Sequence, residues 1–218
     1  MTSIAFLHTV AALAEKFRGL TNESFAGVDT FHLLDESLLR DLMRAQPLPG
    51  IRHRLLNLVG LAVDAGAELI VFTCSSTSPL IDTARQCFEV PILKVDDPMA
   101  ERAVQVGKRI GVLCTTTSTV APSSDLLAYH AARLGREVEV ESILVEKAFA
   151  ALQQGDREVH DALVTAAATD LAGRADVIVL AQASTAHLAA PLAEGVSVPV
   201  LSSPPILMEA LRQRLHQA

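Results

Sequence analysis

Leu69-Ile-Val-Phe72-Thr-Cys74-Ser-Ser-Thr-Ser78-Pro79 is the stretch on which the reading of this chain turns. Four apolar residues bounded by polar turn formers read as a short buried strand. The Ser/Thr cluster after them is a polar turn, and Pro79 suits the first turn of a helix. A strand that runs through a polar turn into a helix opens a βαβ unit, whose strands pair in parallel. Cys74 then stands where the strand ends and the helix begins.

The same alternation recurs on both sides. Strand patterns are read at Ile4 to Leu7, Leu69 to Phe72, Pro91 to Val95, Ile110 to Leu113, Val138 to Ile143, Val177 to Leu180 and Pro199 to Leu201. Helical patterns are read at Leu38 to Ala45, Arg54 to Ala65, Ser78 to Gln86, Met99 to Gln105, Ser123 to Leu134, Asp156 to Leu171 and Ile206 to His216. The class is therefore α/β with parallel sheets. A weak internal repeat adds to this. Ile4-Ala-Phe-Leu-His-Thr9 matches Ile110-Gly-Val-Leu-Cys-Thr115, Phe72-Thr-Cys-Ser-Ser-Thr77 matches Leu180-Ala-Gln-Ala-Ser-Thr185, and Val90-Pro-Ile-Leu93 matches Val198-Pro-Val-Leu201. Three ordered matches at nearly one offset point to a duplication. The expectation is two similar doubly wound parallel-sheet halves, related by pseudo-twofold symmetry around a central cleft. The boundary is expected near Asp97 and Pro98, giving halves 1–97 and 98–205, with helix 206–218 able to rejoin the first.

Composition removes several function classes. The 218 residues are 50% hydrophobic, 4% aromatic and without Trp, which suits helices packed on parallel sheets. A formal charge of −7 and no run of Lys or Arg lack the electrostatic footprint of a nucleic-acid partner. Mean hydropathy is +0.34, yet no apolar stretch reaches the roughly 18 residues of a spanning helix, so no membrane partner is expected. Ile4 to His8 already reads as a strand, which leaves no room for a cleavable leader, and a cytoplasmic protein is expected. Cys74, Cys87 and Cys114 form no C-x-x-C pair, which fits reduced thiols.

Cys74 is the first candidate for chemistry. The partial positive charge and free amides of a helix N-terminus favour a thiolate and attract anions, so that turn is expected to lower the thiol pKa and hold a carboxylate. The plain alternative is a buried small hydrophobe. Cys114 ends a strand and precedes Thr115-Thr-Thr-Ser-Thr119, a hydroxyl cluster suited to a carboxylate or to a helix cap. The corresponding loop of the first half is His8-Thr9. Both loops read as substrate-positioning elements, Cys114 itself as packing, and Cys87 as structural. Gln182 occupies the position that matches Cys74; its amide can orient an oxygen but cannot exchange a proton at neutral pH. His187 reads as a solvated residue. The seven histidines show neither H-x-H nor H-E-x-x-H spacing, so no metal is expected, and the absence of phosphate-binding glycine motifs predicts no nucleotide cofactor. The segments Thr21 to Asp29 and Ala45 to Gly50 read as loops able to act as lids.

The Thr-Cys-Ser turn after Leu69 to Phe72, its counterpart after Val177 to Leu180, and the Pro91-Ile-Leu93 and Pro199-Val-Leu201 strands resemble the aspartate/glutamate racemase superfamily. So do Ile110-Gly-Val-Leu-Cys-Thr-Thr-Thr with Pro122, and Phe149-Ala-Ala-Leu-Gln-Gln-Gly-Asp156 leading to His160-Asp161. The resemblance implies a cofactor-free enzyme in which two cysteines on opposite faces of a bound carboxylate remove and return a proton. Cys74 matches the first. The second is replaced, since Gln182, Ala183 and Ser184 occupy its turn. In related arylmalonate decarboxylases one cysteine suffices, while hydantoin racemases and maleate isomerases show the range of substrates. The implied role of Cys74 is proton transfer at a carbon beside a carboxylate or carbonyl of a small acid. His8, Thr9, Ser75, Ser76, Thr115, Thr116, Gln182 and Ser184 are then expected to hold its oxygens. A homodimer is implied by the same relatives. A one-cysteine decarboxylase or lyase, a non-catalytic small-acid binding protein and a cysteine hydrolase stand as alternatives.

Overall fold

The computed structural model describes residues 2–25 and 27–217. They form two α/β units, one running up to Val95 and resuming at Met208, the other spanning Asp96–Leu207.

In the first unit the elements run β1 (Ser3–His8), α1 (Ala11–Ser24), β2 (Asp29–Leu34), α2 (Glu36–Met43), α3 (Leu48–Asp64), β3 (Leu69–Phe72), α4 (Ser78–Cys87) and β4 (Ile92–Lys94). The sheet order is β2-β1-β3-β4 and every pairing is parallel, with Leu7 opposite Phe72 at the carboxyl end of β1 and β3. Both inner strands are buried throughout, as strands covered on two faces by helices must be. Ala5, Leu7, Ile70 and Phe72 meet Ile51, Leu55, Val59 and Ala62, which recur at helical spacing along α3. On the other face Phe6 stacks on Phe17 of α1, with ring centroids 5.9 Å apart.

The second unit repeats the plan with α5 (Asp97–Val106), β5 (Arg109–Cys114), α6 (Thr117–Arg133), β6 (Glu139–Leu144), α7 (Glu146–Gln153), α8 (Arg157–Ala172), β7 (Val177–Leu180), α9 (Ala189–Gly195), β8 (Val200–Ser202) and α10 (Ser203–Gln217), the last continuing into the first unit's share of the chain. Its sheet order is β6-β5-β7-β8, again parallel. The two sheets therefore share one topology. In each, the chain winds outward in opposite directions from the two inner strands, so the loops that leave their carboxyl ends diverge and open a crevice there. His8-Thr9 and Cys74 follow the inner strands of the first unit; Thr115 and Gln182 follow those of the second.

Several elements depart from expectation. Helix α3 starts at Leu48, six residues before the expected start at Arg54, with Pro49 tolerated in its first turn. Helix α6 starts at Thr117 and carries Pro122 inside it. Helices α1, α7 and α9 and strand β2 were not legible. The segments expected as lids are largely regular structure: Thr21 to Ser24 close α1, Asp29 opens β2, and Leu48 to Gly50 belong to α3. Ala26, within the first of them, lies outside the described residues. Among the described residues no helix is long and apolar enough to cross a membrane.

Candidate active site

Cys74 caps a short 3-10 turn, Ser75–Thr77, that leads into α4. Thr73 N–H donates to the Leu7 carbonyl at 3.1 Å, tying the strand end to β1. The Thr77 amide and hydroxyl both donate to the Cys74 carbonyl, at 3.2 and 2.8 Å, and hold the turn closed. Cys74 is 8% exposed. Burial pushes its thiol above the ordinary value, against the opposing pull of the Thr9 hydroxyl, the Thr77 and Ser76 amides and the Thr77 hydroxyl. This corrects the lowered pKa expected from the helix terminus, because loss of water around a thiolate outweighs the dipoles aimed at it. Cys74 is thus a protonated thiol with donors already in place for its conjugate base. Ser75 is buried and Ser76 half-buried in the same turn, and Thr9 is buried at the end of β1.

His8 does not offer a free donor at this rim. Its Nδ1 lies 2.8 Å from Thr73 Oγ1 and its Nε2 2.9 Å from Nδ1 of His32 on β2. The Thr73 hydroxyl donates to the Leu7 carbonyl at 3.2 Å, so it accepts from His8 Nδ1–H, and His8 Nε2 accepts from His32 Nδ1–H. Both ring nitrogens are consumed in lashing β1 to its neighbours, with Phe6 stacked alongside and Phe17 tilted against the ring. The two nitrogens of His8, expected to hold substrate oxygens, are thus engaged by Thr73 and His32. His32 was missed because it sits on the one strand that the sequence pattern hides.

Burial, then the charges of His32 and Arg18, lower the His8 pKa from 6.5 to about 3. The unfolded chain takes up a proton at His8 below about pH 6.5 that the folded chain refuses. Stability contributed here is therefore complete above that pH and is lost as pH falls towards 3, by at most about 1.4 kcal/mol per pH unit. Urea unfolding at pH 7.5 and 5.0 is expected to show this loss. His8→Asn should flatten the slope, and an unchanged slope would place the titration elsewhere.

The second unit carries the same turns with different chemistry. Gln182 caps the 3-10 turn Ala183–Leu188, and the Thr185 amide and hydroxyl donate to its carbonyl at 3.1 and 2.8 Å, the same pair of bonds that Thr77 makes to Cys74. Gln182 is thus the structural counterpart of Cys74. Its Oε1 accepts from the Thr115 amide at 2.6 Å and the Thr115 hydroxyl at 2.9 Å, while Nε2 reaches Thr116 Oγ1 at 3.4 Å. The carbonyl is spent, so the amino group is what remains to meet a ligand. Thr115 is buried, Thr116 half-buried and Ser184 exposed. Cys114, the counterpart of His8, is fully buried in the core, and burial pushes its thiol up to about 11. It is packing. Cys87, expected as structural, is exposed at the end of α4. A further group that sequence spacing did not reveal joins His160 and Asp161 of α8 to His187 of the turn after β7.

Residues 2–211 match the family described as Asp/Glu/Hydantoin racemase. The chain belongs to that family. It is 28% identical over 159 residues to an uncharacterized protein of Schizosaccharomyces pombe, a match covering 69% of this chain and 66% of that protein. It is 33% identical over 101 residues to glutamate racemase from Exiguobacterium sibiricum, covering 45% and 36%. The matches thus span less than two thirds of these relatives' length. Similar solved structures include glutamate racemase from Francisella tularensis with D-glutamate (TM-score 0.73, 13% identity, 99% of this chain and 81% of that one). An aspartate racemase homologue from Pyrococcus horikoshii aligns with TM-score 0.70 and 20% identity over 98% of both chains. Allantoin racemase from Klebsiella pneumoniae aligns with TM-score 0.68 and 14% identity over 100% and 89%. These three likenesses are likenesses of fold.

Proposed function

We propose that this chain is a cofactor-independent enzyme that transfers a proton through the Cys74 thiol, at a carbon next to a carboxylate or carbonyl of a small acid. The observation that carries this reading is Cys74 itself: a buried, protonated thiol at the crevice of the first sheet, faced by the Thr9 hydroxyl and the Ser76 and Thr77 amides. A thiol in that state is a competent acid for a carbanion or enolate. The thiolate left behind meets donors that need no reorganisation, and so do developing charges on substrate oxygens. Thr9, Ser75 and Ser76 are the oxygen-holding groups assigned to this rim, with Thr115, Thr116, Ser184 and the Gln182 amino group assigned at the matching rim. The reading extends to the cytoplasm, where unbridged thiols persist, and to a homodimer.

Gln182 in place of a thiol favours one-face chemistry, as in an isomerase, decarboxylase or lyase, over symmetric two-base racemisation. NMR in D2O with amino acids, hydantoins, hydroxy acids and substituted malonates tests both points. Deuterium entering one face, or loss of carbon dioxide to a single enantiomer, is expected. Equal exchange into both enantiomers would reject the one-thiol scheme. Saturable binding with no exchange across the panel would favour the second reading, a small-acid binding protein, for which the missing thiol is the supporting observation.

A further inference from the structure

His160, Asp161 and His187 come together in the second unit from two elements far apart in sequence. His160 and Asp161 are consecutive on α8, and His187 belongs to the 3-10 turn after β7. His187 Nε2 lies 2.9 and 3.0 Å from the two oxygens of the Asp161 carboxylate, and His160 Nδ1 lies 2.6 Å from one of them. One carboxylate thus faces two imidazole nitrogens.

The other nitrogen of His187 decides what this means. Nδ1 lies 3.1 Å from the Ser184 carbonyl, which only accepts, so Nδ1 carries a hydrogen. In the neutral ring Nε2 is then a lone pair turned to a carboxylate, a contact that a proton or a metal cation between the two makes favourable. A ring N–H given to a backbone carbonyl, leaving the opposite nitrogen for a cation, is the outer contact that metal-ligating histidines make. A second observation comes from His160. Its ring is wholly buried, its Nδ1 is turned to Asp161, and its Nε2 has no hydrogen-bond partner among the described residues. The side chains of Asp161 and His187 are 28% and 36% exposed, which leaves water access to the group.

We propose that His160 Nδ1, the Asp161 carboxylate and His187 Nε2 form a binding site for a divalent first-row transition ion, with water completing its shell. The three atoms lie within 4.8 Å of one another, a spread that small side-chain rotations bring to the roughly 2.0 to 2.2 Å ligand distances of such ions. Two imidazoles and one carboxylate select zinc, cobalt or nickel over calcium and magnesium, which take oxygen ligands. None of the three ligand atoms belongs to a group assigned above to the Cys74 chemistry, although His187 shares the Ala183–Leu188 turn with Ser184. Spacing rules could not find it, because two ligands are neighbours in sequence and the third arrives through the fold.

The test uses the full chain, stripped with a chelator and titrated with Co(II). One equivalent is expected to bind with visible d–d absorption. His187→Ala and Asp161→Asn, each checked for folding by circular dichroism, should weaken the apparent affinity by roughly tenfold or more. Cys74→Ala should bind as the parent does. Zn(II) should raise the Tm of the parent in a concentration-dependent way and leave that of His187→Ala unmoved. Absence of saturable Co(II) binding by the parent overturns the proposal. Undiminished binding by either folded variant does the same, as does a sulfur-to-cobalt charge-transfer band showing that a thiol holds the ion.

Discussion

Cys74→Ala is expected to fold like the parent and to lose proton exchange on every substrate the parent accepts, by at least about a hundredfold. The fold should survive because the bonds closing the turn run from Thr77 to the Cys74 backbone carbonyl and do not involve the sulfur. Removing one sulfur from a tightly packed site should lower stability by about 1 kcal/mol. Cys74→Ser should be nearly as inactive, since a hydroxyl in the same buried place is a far weaker acid than the thiol. Undiminished exchange in a folded Cys74→Ala protein would remove Cys74 from the chemistry and leave its turn as a structural motif.

A large stability effect outside the site is expected where Gly111, in the middle of β5, meets Leu171 of α8. A Cβ there would sit 2.4 Å from Cδ2 and 2.5 Å from Cγ of Leu171, a fully buried residue of α8. The Leu171 side chain fills the space that a Cβ at position 111 would need. Gly111→Ala should therefore destabilise the protein by about 1 to 3 kcal/mol through overpacking, read as a lower urea midpoint. Leu171→Ala alone should cost about 2 to 5 kcal/mol by leaving a cavity. The double variant should lose less than the two singles together, because the new methyl fills part of the space that the leucine vacates. Strict additivity would mean that the two residues do not compete for the same volume.

The inner strands β1, β3, β5 and β7 were legible because burial on both faces writes them as unbroken apolar runs. Strand β2, Asp29–Leu34, was not: it lies at a sheet edge, no residue of it is fully buried, and its pattern resembles a loop. Helix α1 was hidden for a similar reason, with only Ala14, Phe17 and Thr21 buried along 14 residues. The ends of the inner strands put Cys74 and Gln182 at equivalent turns, because topology puts loops there whatever their composition. The direction of the Cys74 shift was not legible, since a helix-terminus argument contains no measure of how much water the fold removes. The use of His8 was hidden for a linked reason: its partner His32 stands on the strand that could not be read.

The paired hydrogen bonds from Thr77 to the Cys74 carbonyl and from Thr185 to the Gln182 carbonyl have a consequence for how such a protein diversifies. Each turn is clamped through backbone oxygen by a threonine three residues on, a pair of bonds that either apex side chain leaves in place. The apex behaves as an interchangeable fitting on a fixed mount: thiol in one copy, amide in the other, with the same strand before it and the same 3-10 turn after it. A lineage built on this mount can try a new reactive group at either apex without first having to rescue the fold, and the two copies are free to specialise apart.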